Sequence, residues 1–174
     1  LGDASNTERL VPTAISNTSL PAAIDVWSGS SAVHTCAQPA GISSLACWGR
    51  NDSYQLGVVD DYDRNFPVPV SMTSGTIDVA ASFYHTCIAT QSGIPWCWGR
   101  NAESQCGQNA STTIVDFPRQ VPQLTDVVAI AAGAYHTCVV KTDSTAWCWG
   151  QNTEGQLGIG NNDDQPTATS VLLP

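Results

Sequence analysis

Three histidines stand in one recurring setting. His34-Thr35-Cys36, His85-Thr86-Cys87 and His136-Thr137-Cys138 lead, ten or eleven residues after the cysteine, to Cys47-Trp48-Gly49, Cys97-Trp98-Gly99 and Cys148-Trp149-Gly150. Histidine and cysteine together can hold zinc, whereas cysteines alone offer free thiols or disulfides, so three chemistries compete for the same residues. Spacing decides among them. No Cys-x-x-Cys occurs, and six of the seven cysteines fall into pairs separated by 11, 10 and 10 residues, which points to the bridges Cys36–Cys47, Cys87–Cys97 and Cys138–Cys148. His34, His85 and His136 are 51 residues apart each time, so each fills the same slot of its own repeat and reads as structural, not as one of three ligands of a shared metal.

The elements that must position these residues follow from local pattern. Cys87-Ile88-Ala89-Thr90 and Ile94-Pro95-Trp96-Cys97 flank Gln91-Ser92-Gly93, which predicts a hairpin with a bulged turn. Folding it about Ser92 sets Cys87 opposite Cys97, where opposed Cα atoms are about 4.5 to 5.5 Å apart and a disulfide can close. The same folding about Asp143 pairs Cys138 with Cys148, and one extra turn residue leaves Cys36 facing Cys47. A short apolar strand precedes each hairpin, beginning at Ile24, Ile77 and Val127. A polar glycine-containing loop follows, then a proline strand (Pro67, Pro118) suited to a sheet edge. Four short antiparallel strands per repeat predict an all-β fold of β-propeller blades, with blade 1 over 24–70, blade 2 over 77–121 and blade 3 over 127–174. Leu1-Gly2 matches Leu157-Gly158 and Pro12-Thr13-Ala14-Ile15 matches Pro166-Thr167-Ala168-Thr169, so residues 1–23 predict an extra outer strand of a preceding blade. Three blades plus that strand suggest part of a six- or seven-bladed ring, either a fragment of a longer parent or a protomer completed by other copies.

Composition narrows the function classes. A net charge of -9 with six scattered cations leaves no basic patch for nucleic acid or an anionic membrane surface. No apolar run reaches the roughly 18 to 20 residues of a membrane span. Paired cysteines imply an oxidising compartment, hence a secreted, extracellular or cell-surface protein, and Asn17, Asn51 and Asn109 head N-glycosylation triplets. Asp61-x-Asp63-x-Asn65 resembles the start of a calcium loop, but Phe66 and Met72 replace the glycine and glutamate such a loop needs, so it reads as a solvated acidic loop, as does Asn161-Asn162-Asp163-Asp164. Trp48, Trp98 and Trp149, with Trp96 and Trp147, could stack on sugars, yet residues flanking a strand cysteine share one face, and that face is expected to pack against the next blade. Cys106, which stands where Leu56 and Leu157 stand, is either a buried thiol or a bridge to another chain. No nucleophile elbow, His-Glu-x-x-His or complete phosphate loop occurs, so the expectation is a non-enzyme without cofactor or metal.

The combination His136-Thr137-Cys138, Cys148-Trp149-Gly150-Gln151-Asn152 and Gly155-Gln156-Leu157-Gly158 resembles the regulator of chromosome condensation repeat. That resemblance implies a propeller, and the family includes nuclear exchange factors and a secreted bacterial inhibitor of β-lactamases. The paired cysteines and acidic charge look like the secreted branch. The expected function is an extracellular structural or protein-recognition propeller, presenting loops and open edges to other protein chains, copies of itself or the remainder of a longer parent, as in a surface appendage or filament. Alternatives are a soluble inhibitor-like binder and a carbohydrate- or calcium-binding module.

Overall fold

The computed structural model describes residues 1–15, 22–108 and 111–173, and the regular structure among them is all strand. Strands β1 (Ala23–Trp27), β2 (His34–Pro39), β3 (Ala46–Gly49) and β4 (Arg64–Pro69) form the first sheet. Strands β5 (Thr76–Ala81), β6 (His85–Thr90), β7 (Trp96–Arg100) and β8 (Ile114–Gln120) form the second, and β9 (Val127–Ala132), β10 (His136–Lys141), β11 (Ala146–Gly150) and β12 (Gln165–Ser170) the third. Within each sheet the strands lie side by side in sequence order and pair antiparallel, which is the expected blade.

Register follows the hairpin folding. Cys36 pairs with Cys47, Cys87 with Cys97 and Cys138 with Cys148. The second hairpin's ladder ends at Ile88 and Trp96, where Pro95 has no N–H to continue it. Each histidine faces the glycine of its Trp-Gly pair. Gly49, Gly99 and Gly150 take φ of +113°, +105° and +102°, and a Cβ on them would lie 2.7, 2.7 and 2.8 Å from the Cα of His34, His85 and His136. Only glycine allows both the backbone angle and the close approach. The same residues mark a bulge against the outer strand, which bends the chain into the loop that follows.

The three sheets pack face to face in chain order around one apolar core, in which Leu56, Trp98, Cys106 and Trp149 are fully buried. Sandwiched in the middle, β6 is buried at every residue, whereas β1 is mostly exposed. Residues 1–15 contain no strand. An outer strand needs the third strand of its own sheet beside it, and this segment instead lies on the first sheet. Ala4 N donates to Asn65 O at 2.9 Å, Ile15 packs with Ala37, Ala46 and Trp48, and Gly2 sits over the Trp48 ring. Gly57 and Gly107 sit over Trp98 and Trp149 in the same way, so Gly2 holds a repeat position without its strand.

Two alanine substitutions separate sterics from backbone angle. Gly99→Ala places a Cβ 2.6 Å from Tyr84 O and should cost on the order of 2 kcal/mol or more in urea unfolding. Gly41→Ala, at φ +75° with nothing within 4 Å, should cost only the left-handed backbone penalty of about 1 kcal/mol.

Candidate functional site

Between the sheets the recurring residues meet in one repeated arrangement. Side chains alternate along β6, so His85 and Cys87 reach toward the third sheet while Thr86 reaches back to the first. Thr86 Oγ1 donates to the Gln55 carbonyl at 2.7 Å, and Trp98 Nε1 donates to the same oxygen at 2.9 Å. His34 Nε2 lies 2.7 Å from Thr86 Oγ1. One sheet further on, Thr137 Oγ1 and Trp149 Nε1 donate to the Gln105 carbonyl at 2.8 and 2.9 Å, with His85 Nε2 2.8 Å from Thr137 Oγ1.

These contacts fix the tautomers. A hydroxyl has one proton, and each threonine spends its proton on a carbonyl, so His34 and His85 must donate from Nε2 and keep Nδ1 as an acceptor. Ser82 Oγ lies 2.8 Å from His85 Nδ1 and 2.9 Å from the His85 carbonyl, and because that carbonyl already accepts from Ser82 N, the hydroxyl proton is free to serve Nδ1. In the first sheet the corresponding atom, His34 Nδ1, is buried with no partner among the described residues. Burial holds His34 down to about 4 and His85 down to about 3, the latter helped by His34 and His136 nearby. His136, half-buried on the free side of the third sheet, is also held low by burial. His34 and His85 are thus neutral hydrogen-bond donors joining adjacent sheets. No group of three His, Cys, Asp or Glu suited to a metal occurs among the described residues.

The loops after β3, β7 and β11 prepare the carbonyls. Asn51, Asn101 and Asn152 each accept from a backbone N–H five residues on, at 2.9 Å, and donate to a carbonyl at the far side of the loop. Asn51 is therefore buried with its Nδ2 bound to Asp60 O at 2.6 Å, which leaves this glycosylation candidate no accessible amide. Asn17 and Asn109 lie outside the described residues. Asp63 of the calcium-like stretch accepts from Asn51 N at 2.8 Å, and Asp164 does the same for Asn152 N at 2.7 Å, so these carboxylates close their own loops.

The tryptophans pack backward. Trp98 and Trp149 lie against the preceding sheet, not the next one as the strand pattern suggested, because the carbonyl that accepts their indole N–H belongs to the preceding loop. Trp48, Trp98 and Trp149 are at most 4% exposed, which removes them as a sugar platform. Cys106 is unbridged and fully buried in the leucine slot, its Sγ donating to Arg100 O at 3.2 Å and burial pushing its thiol well up. The sulfurs of Cys36 and Cys47, Cys87 and Cys97, and Cys138 and Cys148 lie within bonding distance, with Cα atoms 4.1 Å apart in every pair.

Sequence reasoning missed a band on the surface. It runs along the end of the sheets where the turn preceding each histidine meets the chain after each Trp-Gly. Arg50 lies over the Phe83 ring at 5.6 Å and Arg100 over Tyr84 at 5.5 Å, while Tyr84 stacks on Tyr135 with centroids 5.4 Å apart. Asp52 and Glu103 pair with the two guanidiniums. The signal was present as the residue after Trp-Gly and the residue before histidine, positions that recur with the repeat.

The regulator of chromosome condensation (RCC1) repeat matches residues 45–89, 92–140 and 143–173, and a second form of it matches 127–156. The chain belongs to this repeat family. Each of the first two RCC1 matches holds a glutamine carbonyl and the threonine that donates to it, so the family's repeat spans the joint between two blades. The chain is 32% identical over 139 residues to the ultraviolet-B receptor UVR8 of Arabidopsis thaliana, covering 76% of this chain and 31% of the receptor. To the same plant's RCC1 domain-containing protein RUG3, mitochondrial, it is 30% identical over 129 residues, covering 71% of this chain and 29% of RUG3. A structure of Kap60 bound to yeast RCC1 (Prp20) gives a TM-score of 0.78 at 22% identity over 87% of this chain and 37% of that chain. The chain spans about a third of the length of these relatives, and the structural likeness carries the RCC1 propeller fold alone.

Neutral interblade histidines make stability pH-dependent with a definite sign. Below about 6.5 the unfolded chain takes up a proton at each histidine, while the folded chain refuses it until about 4 at His34 and about 3 at His85. Stability therefore falls as pH drops through that window. His85→Gln keeps a donor toward Thr137 but does not titrate, so between about pH 6 and 5 the slope of unfolding free energy should shrink by about 1 kcal/mol per pH unit in urea titrations.

Proposed function

We propose that the chain is a secreted protein-recognition propeller segment, and that the arginine–aromatic band is the face it presents. The observation that carries this reading is the run Arg50–Phe83 and Arg100–Tyr84–Tyr135 across three blades. All five residues are half-buried, so their planar groups are held in place yet reachable. Arginine and tyrosine are enriched among residues that dominate binding energy, because they bring large contact area with a polar handle at small entropy cost. The bridges within each blade support an oxidising, extracellular setting. The Prp20 structure, in which an RCC1 propeller protein is bound to Kap60, supports protein binding as a use of the fold.

Assembly with further chains through open edges is the second reading. It is favoured by the free side of the third sheet, where Val140 is 42% exposed. For the band, a photo-crosslinking residue at Tyr135 should capture a protein from the extracellular fraction, whereas one at the exposed Met72, in a loop at the opposite end of the sheets, should not. Arg50→Ala with Arg100→Ala should weaken the captured complex by about tenfold or more while melting shifts by only a few degrees. Equal capture from both ends would sink the assignment.

A further inference from the structure

One pair of like rings meets at the surface of the joint between the second and third sheets. Tyr84 and Tyr135 stack with centroids 5.4 Å apart and planes 25° from parallel. Each stands directly before the histidine of its own repeat, so the pair joins residues of two blades that are far apart in the chain. The Tyr84 hydroxyl, as a hydrogen-bonding neighbour, holds the Tyr135 phenol above its ordinary range, so the hydroxyl ends adjoin as well as the rings. Phe83 packs against Tyr84 at 4.4 Å and Arg100 lies over its ring at 5.5 Å, which limits how far that ring can turn. Both tyrosines are half-buried. The chain's other two, Tyr54 and Tyr62, have no ring against them among the described residues. In the preceding joint Val33 holds the place of Tyr84, so no second pair forms there. The contact is complete within the second and third sheets, both of them described.

We propose that Tyr84 and Tyr135 form an oxidative cross-linking site, at which a peroxidase-type oxidant with hydrogen peroxide welds the second blade to the third through a dityrosine bond. Each phenol gives up one electron and its hydroxyl proton, leaving a tyrosyl radical whose unpaired electron is shared with the ring carbons beside the oxygen. The two radicals pair their electrons in a new bond between a Cε of Tyr84 and a Cε of Tyr135. Each bonded carbon then loses its hydrogen as a proton while its oxygen regains one, which restores both aromatic rings and both hydroxyls. Two electrons and two protons leave in all, and one hydrogen peroxide takes them up as two waters. Stacking favours coupling within the chain, because groups held in contact can reach effective concentrations of about 10⁵ M, far above any encounter between chains. The three disulfides each stay inside one blade, so this bond would be a covalent tie across a joint, which they do not supply. The supply of oxidant rests on the extracellular reading; the pairing of the rings does not.

The test treats the full chain, in dilute solution, with a plant peroxidase and hydrogen peroxide. Dityrosine fluorescence should appear while the product stays a monomer on denaturing gels, and peptide mass mapping should find Tyr84 and Tyr135 in one joined species, lighter than its parts by two hydrogens. The yield should hold on further dilution, as coupling within one chain requires. Tyr84→Phe and Tyr135→Phe keep the ring volume and should each abolish the product, whereas Tyr54→Phe and Tyr62→Phe should leave it intact. The joined chain should melt several degrees higher, because the bond closes a loop of about 50 residues in the unfolded state. Cross-links formed mainly between chains, joined peptides carrying Tyr54 or Tyr62 at equal yield, a full signal in Tyr135→Phe, an unchanged melting point or a chain left unlinked would each overturn the proposal. Loss of partner capture at the band with the cross-link still forming would fault the recognition reading alone and support this one.

Discussion

One backbone carbonyl at each joint sets the rest of the structure. The Gln55 oxygen, and in the next joint the Gln105 oxygen, is buried and accepts from both a threonine hydroxyl and a tryptophan N–H of the following sheet. A carbonyl has two lone pairs, and leaving them unmet inside the protein would cost on the order of 1 to 3 kcal/mol. Both donors come from one cross-strand pair, since Thr86 stands directly opposite Trp98 and Thr137 opposite Trp149. The neighbouring cysteine pair lies one register step away and holds the two strands at that spacing. The glutamine side chains turn aside, Gln55 Oε1 accepting from Ser53 N and Gln105 Oε1 from Glu103 N, which leaves the main chain free to face across the joint.

Much of the fold was legible because it is written in local pattern three times over. The Gln91-Ser92-Gly93 turn and the alternation around Cys87 were enough to place Cys87 opposite Cys97. The direction in which the tryptophans pack was not legible, since period-two alternation says which residues share a face but not which neighbour that face meets. Nor could the sequence reveal that Asn51 would be buried by its own loop, because a glycosylation triplet and a loop-closing asparagine look alike in one dimension. The band at Arg50, Phe83, Tyr84 and Tyr135 escaped for another reason. Its members come from separate loops, and only stacking of the sheets brings them into contact.

The three repeats share a plan yet differ where the plan touches its ends. His85, in the middle, has both ring nitrogens satisfied. His34 lacks the serine that would meet its Nδ1, because Gly29 and a longer loop stand where Ser82 stands in the second sheet. His136 lacks both the serine, replaced by Gly133, and a threonine from a following sheet. Satisfaction of the histidine thus depends on two neighbours, one in its own loop and one in the adjacent blade. Nearest-neighbour dependence of this kind is what makes repeat architectures add stability joint by joint.

Placing each bridge inside a blade and, among the described residues, none between blades also governs how the chain would respond to force. The bridged positions are separated by 11, 10 and 10 residues, and that length cannot be drawn out while the bonds hold. Together the three loops withhold roughly 100 Å of fully extended chain. Tension applied end to end would fall on the joints, where only hydrogen bonds and packing resist, and neighbouring blades would separate before any hairpin opened. The chain is thus built as a string of rigid links with yielding couplings, able to lengthen in steps while each link keeps its surface.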